Sequence, residues 1–168
     1  MKAMILAAGF GTRLRPLTHT VPKPMVPILN RPMLEHTIHL LRTHGIQDIT
    51  VNLHHLPEVL IDYFGEGPDF GVQLHWSHES EILGTAGGIK RAQKFLDGET
   101  FVVINSDVVT DIDLSKLIAF HKAQGSALTL AEDSTVSASA LKPTAQPEKR
   151  DIAHPCRPRV RYSSTSQG

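Results

Sequence analysis

The sequence predicts an α/β protein with a mainly parallel sheet flanked by helices. Short apolar runs alternate along the chain with amphipathic segments of helical spacing, the order expected of successive strand–helix–strand units. The runs "KAMILA" (Lys2–Ala7) and "TFVVIN" (Thr100–Asn105) are apolar almost throughout, as strands covered on both faces must be, and "ITVNL" (Ile49–Leu53) is rich in β-branched residues between them. Two polar, chemically distinctive stretches, 9–23 and 105–107, follow the first and last of these runs. Ligands of open α/β sheets gather there, beyond the carboxyl ends of the strands.

Taken in order, Lys2–Ala7 is a buried strand. A helix is expected from Pro32, with Met33, Leu34, Thr37, Ile38 and Leu41 on one face and Gly45 just past its end. After the strand Ile49–Leu53, residues Leu56–Phe64 read as helical. "FGVQLHW" alternates Val72, Leu74 and Trp76 as a half-exposed strand. Thr85–Phe95 returns to helical spacing through Ile89, Ala92 and Phe95. Thr100–Asn105 is the next strand. Asp113 or Ser115 can cap a helix through Leu117, Ile118 and His121, and "SALTLA" reads as the last strand.

The 168 residues suit one ordinary domain. Seventeen basic residues balance seventeen acidic ones, so nothing in the charge points to nucleic acid or a membrane surface. Cys156 is the single cysteine, which excludes an intramolecular disulfide and fits a cytoplasmic location. The apolar stretch Ala3–Ala8 is shorter than the roughly 7–15 residues of a signal-peptide core, and no run reaches the ~18 of a membrane span. Beyond about Ala131 the text changes: four prolines and many small polar residues, without strand or helix spacing, predict a disordered tail. The expected division is 1–131 for the core and 132–168 for the tail.

The stretch "LAAGFGTRLRPLTHTVPKPM" (Leu6–Met25) is neither a dinucleotide fingerprint, which would need glycine at Leu14, nor a Walker A loop, which would need G-K-[ST]. Pro16, Pro22, Pro24 and Pro27 forbid a regular helix, and a connection running to about Pro32 without secondary structure is long enough to suggest function. Glycine at 9 and 11 lets backbone N–H groups approach an anion. Arg13 can fork onto phosphate oxygens, and Lys23 supplies a compact charge. The plain alternative is a tight turn and a proline-stiffened surface loop. Asp107, at the end of an apolar strand, suits Mg²⁺ or else a turn; Asp111 and Asp113 read as turn and cap residues. The ten histidines, including His36, His39, His44 and the pair His54–His55, lack metal spacing and read as surface or partly buried residues rather than a zinc site.

Three stretches in this order, "LAAGFGTRLRPLTHTVPKPMVPILNRPMLEH", "SHESEILGTAGG" and "VVINSDV", resemble the sugar-1-phosphate nucleotidylyltransferases, the nucleotide-sugar pyrophosphorylases. The similarity runs to about Leu130. Within that family, "SHESEILGTAG" and "NSDVV" are most similar to mannose-1-phosphate guanylyltransferases. The resemblance implies a Rossmann-like nucleotide-binding core, C-terminally incomplete here. It implies in-line transfer from a nucleoside triphosphate, GTP favoured, to a sugar 1-phosphate, mannose 1-phosphate favoured, with Mg²⁺ and release of pyrophosphate. Arg13, Lys23 and Asp107 would be the catalytic residues, with Asp107 on the metal. Leu6, Ala8 and Gly9 would lie along the nucleoside, and Gly11 and Thr12 would present backbone to the phosphates. Gly84 precedes a helix and would offer backbone to base or ribose. Glu79 would lie beside the base, where a carboxylate can accept from guanine; a uridylyl- or thymidylyltransferase, or a solvated surface glutamate, remain the alternatives.

The family's sugar-binding residues and second metal-binding aspartate have no counterpart after Ala131. The resemblance therefore implies a nucleotide-binding part with weak or no turnover of its own. Three readings follow: an enzyme completed by a second copy or partner chain, a non-catalytic subunit acting on a full-length homologue, or a truncated product with an out-of-frame end.

Overall fold

The computed structural model describes residues 1–133 and 160–165. The chain divides into two units, Met1–Asp111 and Ile112–Gly168. In the first, β1 (Lys2–Leu6) leads through a long connection into a short hairpin, β2 (Pro27–Ile28) and β3 (Arg31–Pro32), and then α1 (Met33–Thr43). β4 (Asp48–Leu53), α2 (Pro57–Phe64), β5 (Gln73–His78), α3 (Gly84–Arg91), α4 (Gln93–Leu96) and β6 (Phe101–Asn105) follow.

The four long strands make one parallel sheet in the order β5-β4-β1-β6. β1 lies inside it, and Ala3, Met4 and Ile5 are fully buried in succession, so both of its faces are covered. In β4, Ile49, Thr50 and Val51 are buried in the same way. The five residues expected on the inner face of α1, Met33, Leu34, Thr37, Ile38 and Leu41, are its buried residues. Fully burying a side chain of the size of Leu34, Ile38 or Leu41 contributes about 1.5–3 kcal/mol, so this stripe fastens α1 more firmly than its capping does. Met4 packs with Ala92 and Leu96 in a further part of the core.

Several local expectations are corrected. Pro32 is not the first helical residue; it precedes α1 with extended ψ and pairs with Pro27 across the hairpin. The connection after β1 is not without secondary structure. Three single 3₁₀ turns, Thr12–Leu14, Leu17–His19 and Lys23–Met25, follow one another before the hairpin, whose two-residue turn holds Leu29 and Asn30 at positive φ, as a tight hairpin turn requires. Prolines forbid long helices but tolerate such short turns. Leu56 lies outside α2 in a left-handed conformation, and Pro57 takes the first helical position. The helix expected over Thr85–Phe95 is broken at Ala92, where ψ is −2° and the side chain is held fully buried.

In the second unit, α5 (Leu114–Gln124) is capped by Asp113, whose carboxylate accepts from Lys116 N at 3.1 Å; Asp113, rather than Ser115, is the cap. β7 (Leu128–Asp133) pairs antiparallel with β8 (Val160–Thr165). The strand at "SALTLA", expected to be the last, is followed by a further one: β8 is stabilised by a partner far away in sequence. Of the predicted tail, residues 134–159 and 166–168 lie outside the described residues. No helix among the described residues is long and apolar enough to cross a membrane.

Candidate functional site

Register sets the site. Leu6 stands opposite Asn52 on one side and Asn105 on the other, so β1, β4 and β6 end level and their following loops emerge side by side. Ser106 N donates to Leu6 O at 3.1 Å, tying two of these exits together. Above them opens a cleft of about 390 Å³.

One end of the cleft is built by the glycine loop. Gly11 has φ +62°, and a Cβ there would lie 3.0 Å from both Lys23 Cβ and Thr18 Cγ2. Only glycine meets both demands at ordinary cost. Thr18 is buried and its hydroxyl donates to Gly11 O at 2.9 Å, while a ring nitrogen of His55 donates to Thr18 O at 2.8 Å. The successive 3₁₀ turns thus coil the loop on itself. Gly9, Gly11, Thr12, Arg13 and Lys23, spread over fifteen residues of sequence, line the same cleft. Arg13 is exposed at its mouth. Lys23 Nζ is ion-paired with Asp107 Oδ2 from the turn after β6. Both side chains of this pair are partly exposed, 23% and 33%, so solvent weakens their attraction and either group can exchange its partner at modest cost.

The other end is polar but buried. Glu79 is 1% exposed, which excludes the solvated surface acid as an alternative. Its Oε1 accepts from Asn52 Nδ2 at 2.8 Å and its Oε2 from Leu83 N at 3.0 Å. Its own N–H donates to Leu53 O at 2.8 Å, and a ring nitrogen of His54 donates to its carbonyl at 2.9 Å. Gly88 in α3 makes room: a Cβ there would stand 2.7 Å from Glu79 Oε1 and 2.8 Å from Asn52 Nδ2. His54 and His55 therefore serve as anchors of backbone, with Phe10 stacked edge-on between their rings. Leu6, Ala8 and Gly84 complete the sequence-predicted set, and all ten predicted residues line this one cleft.

Three contributors were not anticipated: Asn52, Thr18 and Ser106. Asn52 did carry a signal, being the one amide inside "ITVNL". An amide in a strand that is buried has to be bonded on folding.

The model of the nucleotidyl transferase family matches residues 2–141. This chain belongs to the nucleotidyl transferase family. It is 47% identical over 141 residues to a UTP–glucose-1-phosphate uridylyltransferase of Synechocystis, covering 77% of this chain and 36% of the relative. It is 46% identical over 128 residues to a mannose-1-phosphate guanyltransferase of Eremothecium gossypii, covering 74% and 36%. Among solved structures, HddC from Yersinia pseudotuberculosis complexed with GMP-PN superimposes with a TM-score of 0.68 at 32% identity, covering 79% of this chain and 59% of that one. The chain thus spans about a third of the length of the curated relatives it matches.

Proposed function

We propose that this nucleotidyl transferase chain binds a nucleoside triphosphate, GTP favoured, in the cleft above β1, β4 and β6. It would transfer the nucleotidyl group to a sugar 1-phosphate, mannose 1-phosphate favoured, and release pyrophosphate. The observation that supports the reading is that Arg13, Lys23 and Asp107 line one cleft together with Gly9 and Gly11. Phosphoryl chemistry of this kind needs alignment and charge neutralisation rather than a protein nucleophile. Arg13 would hold the triphosphate tail, and Lys23 would bridge the reacting phosphates.

Magnesium fits the donor set. Asp107 is a partly exposed carboxylate beside Lys23, and Mg²⁺ prefers one or two carboxylates with phosphate oxygens and water completing its shell. No group of three or more His, Cys, Asp or Glu among the described residues is arranged as a metal cage. Asp107 would hold the ion, which supplies neutralising charge to the phosphates. Lys23, released from Asp107, would turn to the same anion.

The name of the Eremothecium relative and the nucleotide in the HddC complex support guanine. The Synechocystis relative, slightly more similar, supports uracil as a second reading. Thermal shifts with GTP, UTP, dTTP and ATP, each with Mg²⁺, decide between them: the largest shift is expected with GTP, and a larger one with UTP would replace the guanylyl assignment. Pyrophosphate release with mannose 1-phosphate or glucose 1-phosphate then tests transfer. Nucleotide binding without sugar-dependent release would identify a binding subunit rather than an enzyme, and no binding to any triphosphate would overturn the reading.

A further inference from the structure

We propose that Asn52 is the positioning residue that holds the phosphate loop and the Glu79 wall of the cleft in fixed relation, so that the two ends of the nucleotide are met by one rigid unit. This rests on the nucleotide reading above. Asn52 stands near the end of β4, 3% exposed, and its amide is divided between two segments. Oδ1 accepts from Ala7 N at 2.7 Å, at the start of the glycine loop. Nδ2 donates to Glu79 Oε1 at 2.8 Å. The carboxylate passes the connection on through Oε2 to Leu83 N, the residue before Gly84 and α3.

The direction of each bond is forced, because Ala7 N can only donate and a carboxylate oxygen facing an amide can only accept. A side chain at 52 must therefore accept on one side and donate on the other. Aspartate could still accept from Ala7 N but would set two carboxylates against each other at the Glu79 contact; leucine could do neither. A buried chain of bonds with every member satisfied holds its parts rigidly, whereas a partly satisfied one does not. Gly88 closes over the contact and leaves no room for the two side chains to part on that side.

The donors and acceptors can be exchanged, and that exchange is the test. In N52D/E79Q the carboxylate at 52 accepts from Ala7 N and from the new amide at 79, whose oxygen accepts from Leu83 N. Net charge is unchanged and the chain of bonds is complete. N52D or E79Q alone leaves like groups facing each other. Calorimetry with tripolyphosphate and Mg²⁺, which reads the phosphate loop without the base that Glu79 would face, is expected to show each single variant binding at least about tenfold more weakly and the double variant within about threefold of the wild type. Amide hydrogen exchange without nucleotide should show Ala7 and Leu83 N–H protected in the wild type, faster in N52D, and protected again in the double variant. The titrations are made well below each variant's unfolding midpoint, so that recovery of tripolyphosphate affinity tracks the repaired contact and not the fraction folded. A double variant that binds tripolyphosphate as weakly as N52D, or an N52D that binds it like the wild type, would overturn the proposal. If the wild type bound no triphosphate, the functional reading would fall. Exchange at Ala7 and Leu83 would then decide alone whether Asn52 joins the two segments, unchanged protection in N52D overturning it.

Discussion

The cleft has two polar ends of opposite construction. At one, Lys23 and Asp107 form a partly exposed ion pair. At the other, Asn52 and Glu79 are buried and bonded to backbone of two different loops. The exposed pair contributes little to the fold and is free to take new partners, as the proposed site for a polyanion and a cation requires. The buried pair is expensive to disturb and has no spare partner to exchange. Adaptable charge therefore sits on an inflexible polar frame.

Removing the frame should have the largest effect. Asn52→Leu leaves Ala7 N and a buried carboxylate oxygen without partners, and should cost about 3 kcal/mol or more of stability. Trp76, the single tryptophan and part of β5, reports urea unfolding of this unit; a loss below about 1 kcal/mol would mean that the frame is not rigid.

The exposed pair should respond in the opposite way. Lys23→Ala should change unfolding stability by less than about 1 kcal/mol but weaken Mg²⁺·GTP binding about ten- to a hundredfold, the 1.5–3 kcal/mol of a charged hydrogen bond. Calorimetric titration checks it, and equal affinity would remove Lys23 from the phosphate site. Asp107→Asn keeps an acceptor and loses the charge that magnesium favours. The gain in GTP affinity on adding Mg²⁺ should shrink in this variant while metal-free binding changes less; an identical magnesium response would make Asp107 a turn residue.

The smallest expected effect separates two glycines of the loop. Gly11→Ala forces a positive φ and two 3.0 Å contacts, at about 1–2 kcal/mol. Gly9→Ala meets nothing within 4 Å and should leave the unfolding midpoint within about 0.5 kcal/mol of wild type, its effect being confined to nucleotide affinity.

Much of this was legible in advance. The core strands and the inner face of α1 follow from long apolar runs and a clean helical period, signals that sum over many residues. The loop's glycines and basic residues were legible as chemistry. Its three 3₁₀ turns and hairpin were not, because prolines say which structure is forbidden and not which turn replaces it. Glu79 was read for its charge, whereas its burial depends on Asn52 and Leu83, partners 27 and 4 residues away. β8 had no local signal at all, since a polar strand such as "VRYSST" gains its structure only from the strand it pairs with.

The position of Asn52 also bears on how the chain finds its fold. β4 and β1 are both largely buried, and their apolar side chains could be laid beside each other in more than one alignment. Slipping β4 by a single residue would turn every side chain to the opposite face, carrying Asn52 away from Ala7 N and from Glu79 and stranding a polar amide among hydrocarbon. The correct alignment, Leu6 against Asn52, alone satisfies it. The same side chain that stiffens the cleft thus marks the register during folding, and misaligned sheets carry a penalty that apolar contacts by themselves would not impose.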